Sequence, residues 1–236
     1  MASRTRPVVS RRERPAKPAL TRDGIVATAV EVMQAEGLDR VTMRRLAQEL
    51  DTGAASLYVY LRNTAELHAA MLEQLLGQVD LTPVTEAGDW RDRLIKILSS
   101  YVKILFGQPG LAQSVLVTRP SGPAYLGLAE GILALLSAGG VPPARAAWAV
   151  DILLHFATST AAEQGTRHRA ADEKEDEDAL AAALREAPAD TFPHVAELGA
   201  ELMSGTGPDR LIWGFNVLIN GITQTARPEE PNRAGT

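Results

Sequence analysis

The chain has 236 residues, 45% of them apolar and 22% charged, and its 24 Lys+Arg against 29 Asp+Glu leave a formal net charge of −5. These are the proportions of a soluble globular protein, long enough for one domain or for a small domain joined to a larger one. Since it has no Cys, disulfides, thiolate zinc sites and cysteine nucleophiles are excluded.

A mildly negative chain argues against nucleic acid as a partner only if the charge is evenly spread. Here residues 1–79 hold 11 basic and 9 acidic side chains, net +2, whereas residues 80–236 are net −7. Residues 1–20 (MASRTRPVVSRRERPAKPAL) combine Arg and Pro with too few apolar residues for a core and read as a disordered basic arm. Arg4, Arg6, Arg11, Arg12, Arg14 and Lys17 give it its charge, which serves either solubility or the tracking of phosphates.

Helical periodicity follows in segment after segment, with no sustained strand-like alternation, so the expected fold class is all-α. Thr21 caps a first helix with Ile25, Val26, Ala29, Val30, Val32 and Met33 on its apolar face, and Gly37 stops it. Thr42 caps a second, short helix bearing Met43, Leu46, Ala47 and Leu50. After the tight turn Asp51-Thr52-Gly53 a third helix is expected over roughly Ala54–Leu61, and Asn63 with Glu66 forms a capping-box pattern for a fourth. Residues 80–89 read as a boundary loop. Longer, more apolar helices are expected at about 90–107, 111–118, 122–138, 143–167, 190–204 and 208–226. The acidic run Ala171–Asp178 is a solvated loop or a frayed helix start, and 227–236 a disordered tail. The expected domains are therefore a head over 21–79 and a larger helical body over 80–226.

Two short helices joined by a tight turn, with a preceding helix to pack on, have the form of a helix-turn-helix, whose second helix enters the major groove. Arg44 and Arg45 project from its first helix, and Thr52, Ser56, Tyr58, Tyr60 and Arg62 from the turn and second helix, while Leu57 and Leu61 face the core. On apolar spacing alone the same pair of helices also suits a purely structural role, with Tyr58 and Tyr60 capping a core edge.

Residue identities go further than the spacing. The run from Ile25 through Met71 carries Ala29, Glu36-Gly37-Leu38, Thr42-Met43-Arg44, Leu46-Ala47, Leu50, Ser56-Leu57-Tyr58-Val59-Tyr60, Arg62-Asn63, Glu66-Leu67 and Met71. Through these residues it resembles, without a gap, the DNA-binding domain of the TetR family of transcriptional repressors. The resemblance implies a double-stranded operator as partner, with Arg44 reaching a base edge and Thr52, Tyr58, Tyr60 and Arg62 touching phosphates. Gly53, Ala54, Ala55 and Ser56 complete the candidate DNA-binding set; the small side chains of Ala54 and Ala55 suit thymine methyls, and Ser56 offers a sparing hydrogen bond. Three departures stand out: Asp51 where the family usually has Gly, the small Ala54 and Ala55 in place of bulkier readers, and Thr64 in place of a Lys.

The run from Asp89-Trp90-Arg91 through Gly107-Gln108-Pro109 to Gly139-Gly140-Val141 is similar to a tetracycline-repressor-type C-terminal domain, which implies a ligand pocket and a homodimer. Tyr101, Leu105, Tyr125, Trp148, Ile152, His155 and Phe156 are the candidate pocket residues, each of which also suits an ordinary core. The scarcity of charge on these helices points to an apolar or aromatic effector. The last helix carries Leu211, Ile212, Phe215, Leu218, Ile219 and Ile222, more than one core face needs, and with the helix at 143–167 it is expected to pair two copies.

The four His residues lack metal-ligand spacing, and no GxSxG, P-loop or dinucleotide fingerprint occurs, so neither a metal, a cofactor nor an enzyme is expected. The most apolar stretch, Tyr125 to Ala138, is too short to span a bilayer and contains Glu130, and the N-terminus lacks a signal-peptide core. A cytoplasmic, ligand-responsive repressor acting on a palindromic operator is the leading expectation. An activator of the same family and a helical small-molecule-binding protein with a structural N-terminal motif are the alternatives.

Overall fold

The computed structural model describes residues 19–117, 120–168 and 173–228. The basic arm as far as Pro18 and the tail beyond Pro228 lie outside them. Among the described residues the chain forms eleven α-helices and no strand.

The local chemistry explains the first four helices. α1 (Arg22–Glu36) starts where Thr21 Oγ1 accepts from Gly24 N at 3.1 Å and ends at Gly37, whose φ of 91° suits a residue without a Cβ. Leu20, placed by the sequence in the arm, is half-buried against the core. α2 (Met43–Glu49) is capped by Thr42, which accepts from Arg45 N at 3.1 Å. It closes in a Schellman motif, with Asp51 N donating to Gln48 O at 3.1 Å and Thr52 N to Ala47 O at 2.8 Å. Asp51 sits at φ 47° there, the left-handed conformation that Asp tolerates better than most residues.

α3 (Ala54–Leu57) is shorter than the expected helix to Leu61. The run Tyr58-Val59-Tyr60 has weak helix propensity, and the chain instead turns there so that Leu61 re-enters the core. Asn63 Oδ1 caps α4 (Thr64–Leu76) by accepting from Glu66 N at 2.8 Å. The return arm of the expected capping box goes elsewhere: the Glu66 carboxylate accepts from Arg62 N at 2.9 Å and from Arg62 Nε at 3.2 Å.

The stretch 80–89 is tied down. Asp80 N donates to Ser100 Oγ at 2.9 Å, Thr82–Val84 makes a 3₁₀ turn, and Arg93 donates to Glu86 O at 2.6 Å. Then come α5 (Trp90–Phe106), α6 (Pro109–Val117), α7 (Pro123–Ala138) and the long α8 (Pro143–Arg167). They are followed by α9 (Glu173–Arg185), α10 (Pro193–Met203) and α11 (Gly207–Gln224). Of the two readings of the acidic run, the helix start is the one observed from Glu173 onward, where negative side chains favour the positive end of the helix dipole. Ala171 and Asp172 lie outside the described residues.

α8 is the hub of the body, packing on α5, α6, α7 and α11, while α9 and α10 pack chiefly on each other. α4 belongs to both parts: it packs on α1 in the head and on α5, α6 and α7 in the body. One continuous apolar core therefore runs from Ile25 to Ile222. Close approaches fix its geometry: a Cβ on Gly139 would sit 2.3 Å from the Trp90 ring, and one on Gly214 2.5 Å from the ring of Phe156.

Candidate nucleic-acid interface

The α2–turn–α3 unit is held from beneath by Leu46, Leu57 and Leu61, all fully buried. Above that anchor, Arg44, Gly53, Ala55, Ser56, Tyr58, Tyr60 and Arg62 are exposed, and Thr52 and Ala54 half-buried. The nine residues nominated from sequence thus fall on one compact unit. Val59, given no role by the residue pattern alone, is 80% exposed between the two Tyr and joins that surface.

Arg45 departs from expectation. It does not project freely from α2 but reaches back to Glu36 at the end of α1, at 2.6 Å, and to Glu49 at 2.7 Å. The guanidinium holds the Glu36 carboxyl below the usual carboxylate range, and the carboxylates push the guanidinium up. Arg45 therefore sets the angle of α2 on α1 and leaves the outward reach to Arg44. Arg62 is also partly committed: it pairs with Glu66 while its side chain stays 88% exposed, so its fork can turn to a phosphate at little cost. The Glu66 carboxyl is held low chiefly by the Arg62 backbone N–H.

The seven residues nominated for a ligand pocket do not share one cavity, although Trp148 and Ile152 together line a shallow apolar cleft against Val217 and Leu218 of α11. Tyr101 and Leu105 are closed into the core, where Tyr101 Oη lies 2.7 Å from Thr158 Oγ1 and burial pushes the phenol up to about 12. Trp148, Ile152 and His155 face outward on α8, because the opposite face of that helix is the one that packs on α5, α6 and α7. Tyr125 is half-buried. Phe156 lines a cleft of about 880 Å³ between α8, α10 and α11, together with Thr160, Gln164 and Trp213. A second cavity of about 380 Å³ adjoins it between α5, α8 and α11, lined by Ser99, Val102, Phe106, Thr160 and Leu211 among others. Asn216 Nδ2 donates to Ile212 O of its own helix at 3.0 Å.

Among the described residues no group of three or more His, Cys, Asp or Glu is arranged to hold a metal ion, and no helix is long and apolar enough to cross a membrane.

Comparison with known proteins agrees with this geometry. The family described as bacterial regulatory proteins, tetR family, matches residues 25–71, and the tetracyclin repressor-like C-terminal domain matches residues 82–226. A transcriptional regulator of the helix-turn-helix type from Saccharopolyspora erythraea is 34% identical over 182 residues, 76% of this chain and 75% of that protein. A solved Streptomyces protein, SCO7704, described as a candidate transcription regulator, is 55% identical with a TM-score of 0.73, covering 91% of this chain and all of that one. ActR from Streptomyces coelicolor, solved in complex with actinorhodin, is 33% identical with a TM-score of 0.80, covering 87% of this chain and 96% of that one. Matches to both halves of the chain, and a relative aligned over three quarters of its length, establish that this protein belongs to the TetR family of transcriptional regulators.

Proposed function

We propose that the protein is a homodimeric repressor that binds a palindromic operator and is released by a small apolar or aromatic effector. The observation that carries this reading is the row of exposed polar and aromatic side chains on α2, the turn and α3, seated on the fully buried Leu57 and Leu61. Arg44 reads a base edge, Ala54 and Ala55 meet thymine methyls, Ser56 hydrogen-bonds, and Thr52, Tyr58, Tyr60 and Arg62 hold phosphates. The basic arm adds salt-dependent contacts, while the acidic body is repelled by DNA and favours a head-first approach.

Two heads need a rigid two-fold link. The outward face of α8 and α11 supplies it: Trp148 (50% exposed), Ile152 and Val217 form an apolar surface on the protomer. The effector enters the adjoining cavities between α5, α8, α10 and α11, whose mixed lining of Phe156, Thr160, Gln164 and Leu211 suits an aromatic compound with a few polar groups. ActR, a relative of similar fold, was solved with actinorhodin. For a switch, the effector must prefer the non-binding arrangement, and a ~100-fold preference corresponds to ~2.7 kcal/mol. In this reading residues 21–79 are the reading head and 80–226 the regulatory body, the protein works beside DNA in the cytoplasm, and it catalyses no reaction.

The test is a mobility shift against the DNA upstream of the protein's own coding sequence, at low and physiological salt. A retarded band that survives physiological salt and resists unrelated competitor DNA is expected. Binding that competitor DNA abolishes at either salt would overturn the reading.

A further inference from the structure

We infer that Glu73 is the specific link through which the reading head and the body hold each other in register, a reading that rests on the proposed division into head and body. Glu73 lies on α4, the helix shared by the two parts. Its Oε1 accepts a hydrogen bond from the backbone N–H of Ala124, in the first turn of α7. That N-terminus has no capping side chain of its own, because Gly122 occupies the cap position and Pro123 follows. The carboxylate therefore supplies from another helix, 51 residues away in sequence, the cap that α7 lacks.

Two further observations show how closely the site is built around that carboxylate. A Cβ on Gly122 would sit 2.3 Å from Glu73 Cδ and 2.4 Å from Oε2, so the absence of a side chain at 122 is what admits Glu73. Gly122 itself has φ −82°, an ordinary conformation for any residue, so backbone freedom does not explain the glycine. Glu73 Oε2 is buried with no hydrogen-bond partner, which raises the cost of any movement that also takes Oε1 from its donor. The apolar contacts of α4 with the body are directionless and tolerate sliding. The Glu73–α7 contact has one geometry and is lost when α4 rotates or shifts along its axis. It is a positioning contact: it touches neither DNA nor effector, and it makes the orientation of α4 depend on α7.

The test uses the full-length protein. All three Trp (Trp90, Trp148 and Trp213) lie in the body, on α5, α8 and α11, so Trp fluorescence reports the body's unfolding while far-UV circular dichroism reports the whole chain. In the wild type the two melting curves are expected to coincide. In Glu73→Ala, which removes both the acceptor and the charge, the dichroism transition should precede the fluorescence transition as the head melts first. The rise in the Trp-reported midpoint on adding upstream DNA should fall to roughly half or less.

Gly122→Ala approaches the contact from the other side. It should mimic Glu73→Ala in the wild-type background and be close to neutral in the Glu73→Ala background, where its methyl has room. Curves that stay coincident in both single variants, curves already separate in the wild type, or a Gly122→Ala effect undiminished in Glu73→Ala would each overturn the inference. Failure of the wild type to bind upstream DNA would count against the proposed function alone, since the melting comparison needs no DNA.

Discussion

Val217→Asp separates folding from pairing on the α8/α11 face. On the protomer Val217 is 48% exposed, beside Trp148 and Ile152 across a shallow apolar cleft. Covering the exposed half of a Val side chain in a dimer is worth ~1 kcal/mol per protomer, about half the value of full burial. Asp removes that gain and brings a carboxylate into a water-excluding face, at a cost of several kcal/mol per ion. The two-fold axis counts each substitution twice, so the dimer should weaken by at least ~6 kcal/mol, or about four decades in its dissociation constant. The protomer already shows this position to water, so its own stability should change by no more than ~0.5 kcal/mol. Sedimentation velocity at micromolar concentration should find a folded monomer, with a melting curve close to that of the dissociated wild type. A variant that remains dimeric would refute the placement of the interface, and one that unfolds would refute the claim that this face is free on the protomer.

Three further outcomes are expected. Arg44→Ala should cost ~1–3 kcal/mol on the operator and much less on random DNA, whereas Arg45→Ala, which breaks the link to Glu36 and Glu49, should lower the head's melting temperature and weaken binding to both DNAs alike. Thermal melts should show Asp51→Gly tolerated and Asp51→Val destabilised by ~1–2 kcal/mol, because a β-branched residue resists the φ of 47° at the turn. Burial holds the half-buried His68 imidazole below its ordinary 6.5, so the unfolded chain takes up that proton more readily than the folded one. Its contribution to stability is therefore complete above pH ~6.5 and is lost as the pH falls through that value toward the folded pKa, and His68→Gln should flatten the slope of melting temperature between pH 7 and 5.

Much of the head was legible in the sequence because its signals are local. Thr21, Thr42 and Asn63 each cap the helix that their position announces, and Ile25, Leu46, Leu57 and Leu67 are all fully buried. Local signals fail where a distant partner decides. Arg45 has the exposed-looking spacing of Arg44, but Glu36, nine residues earlier, claims it. In the body, Trp148, Ile152 and His155 form an amphipathic stripe of the kind that lines pockets, and only the packing of α8 on its neighbours shows that the stripe faces out. Glu73 carries no sequence signal of its own. The nearest hint is Gly122-Pro123, a helix start without a capping side chain, and it does not say which residue supplies the cap. Composition leaves the acidic run before Leu180 open between a loop and a helix start, because the same charges that favour water also favour a helix N-terminus.

Two copies of the α2–α3 unit are expected to read a symmetric DNA sequence. Hydroxyl-radical footprinting of the purified protein across the DNA upstream of its coding sequence tests this most directly. Two protected half-sites related by a two-fold axis are expected, ~34–36 Å apart or a multiple of that, with protection at a half-site lost in Arg44→Ala at concentrations that saturate the wild type. Uniform protection along the duplex, or a single site without symmetry, would contradict it.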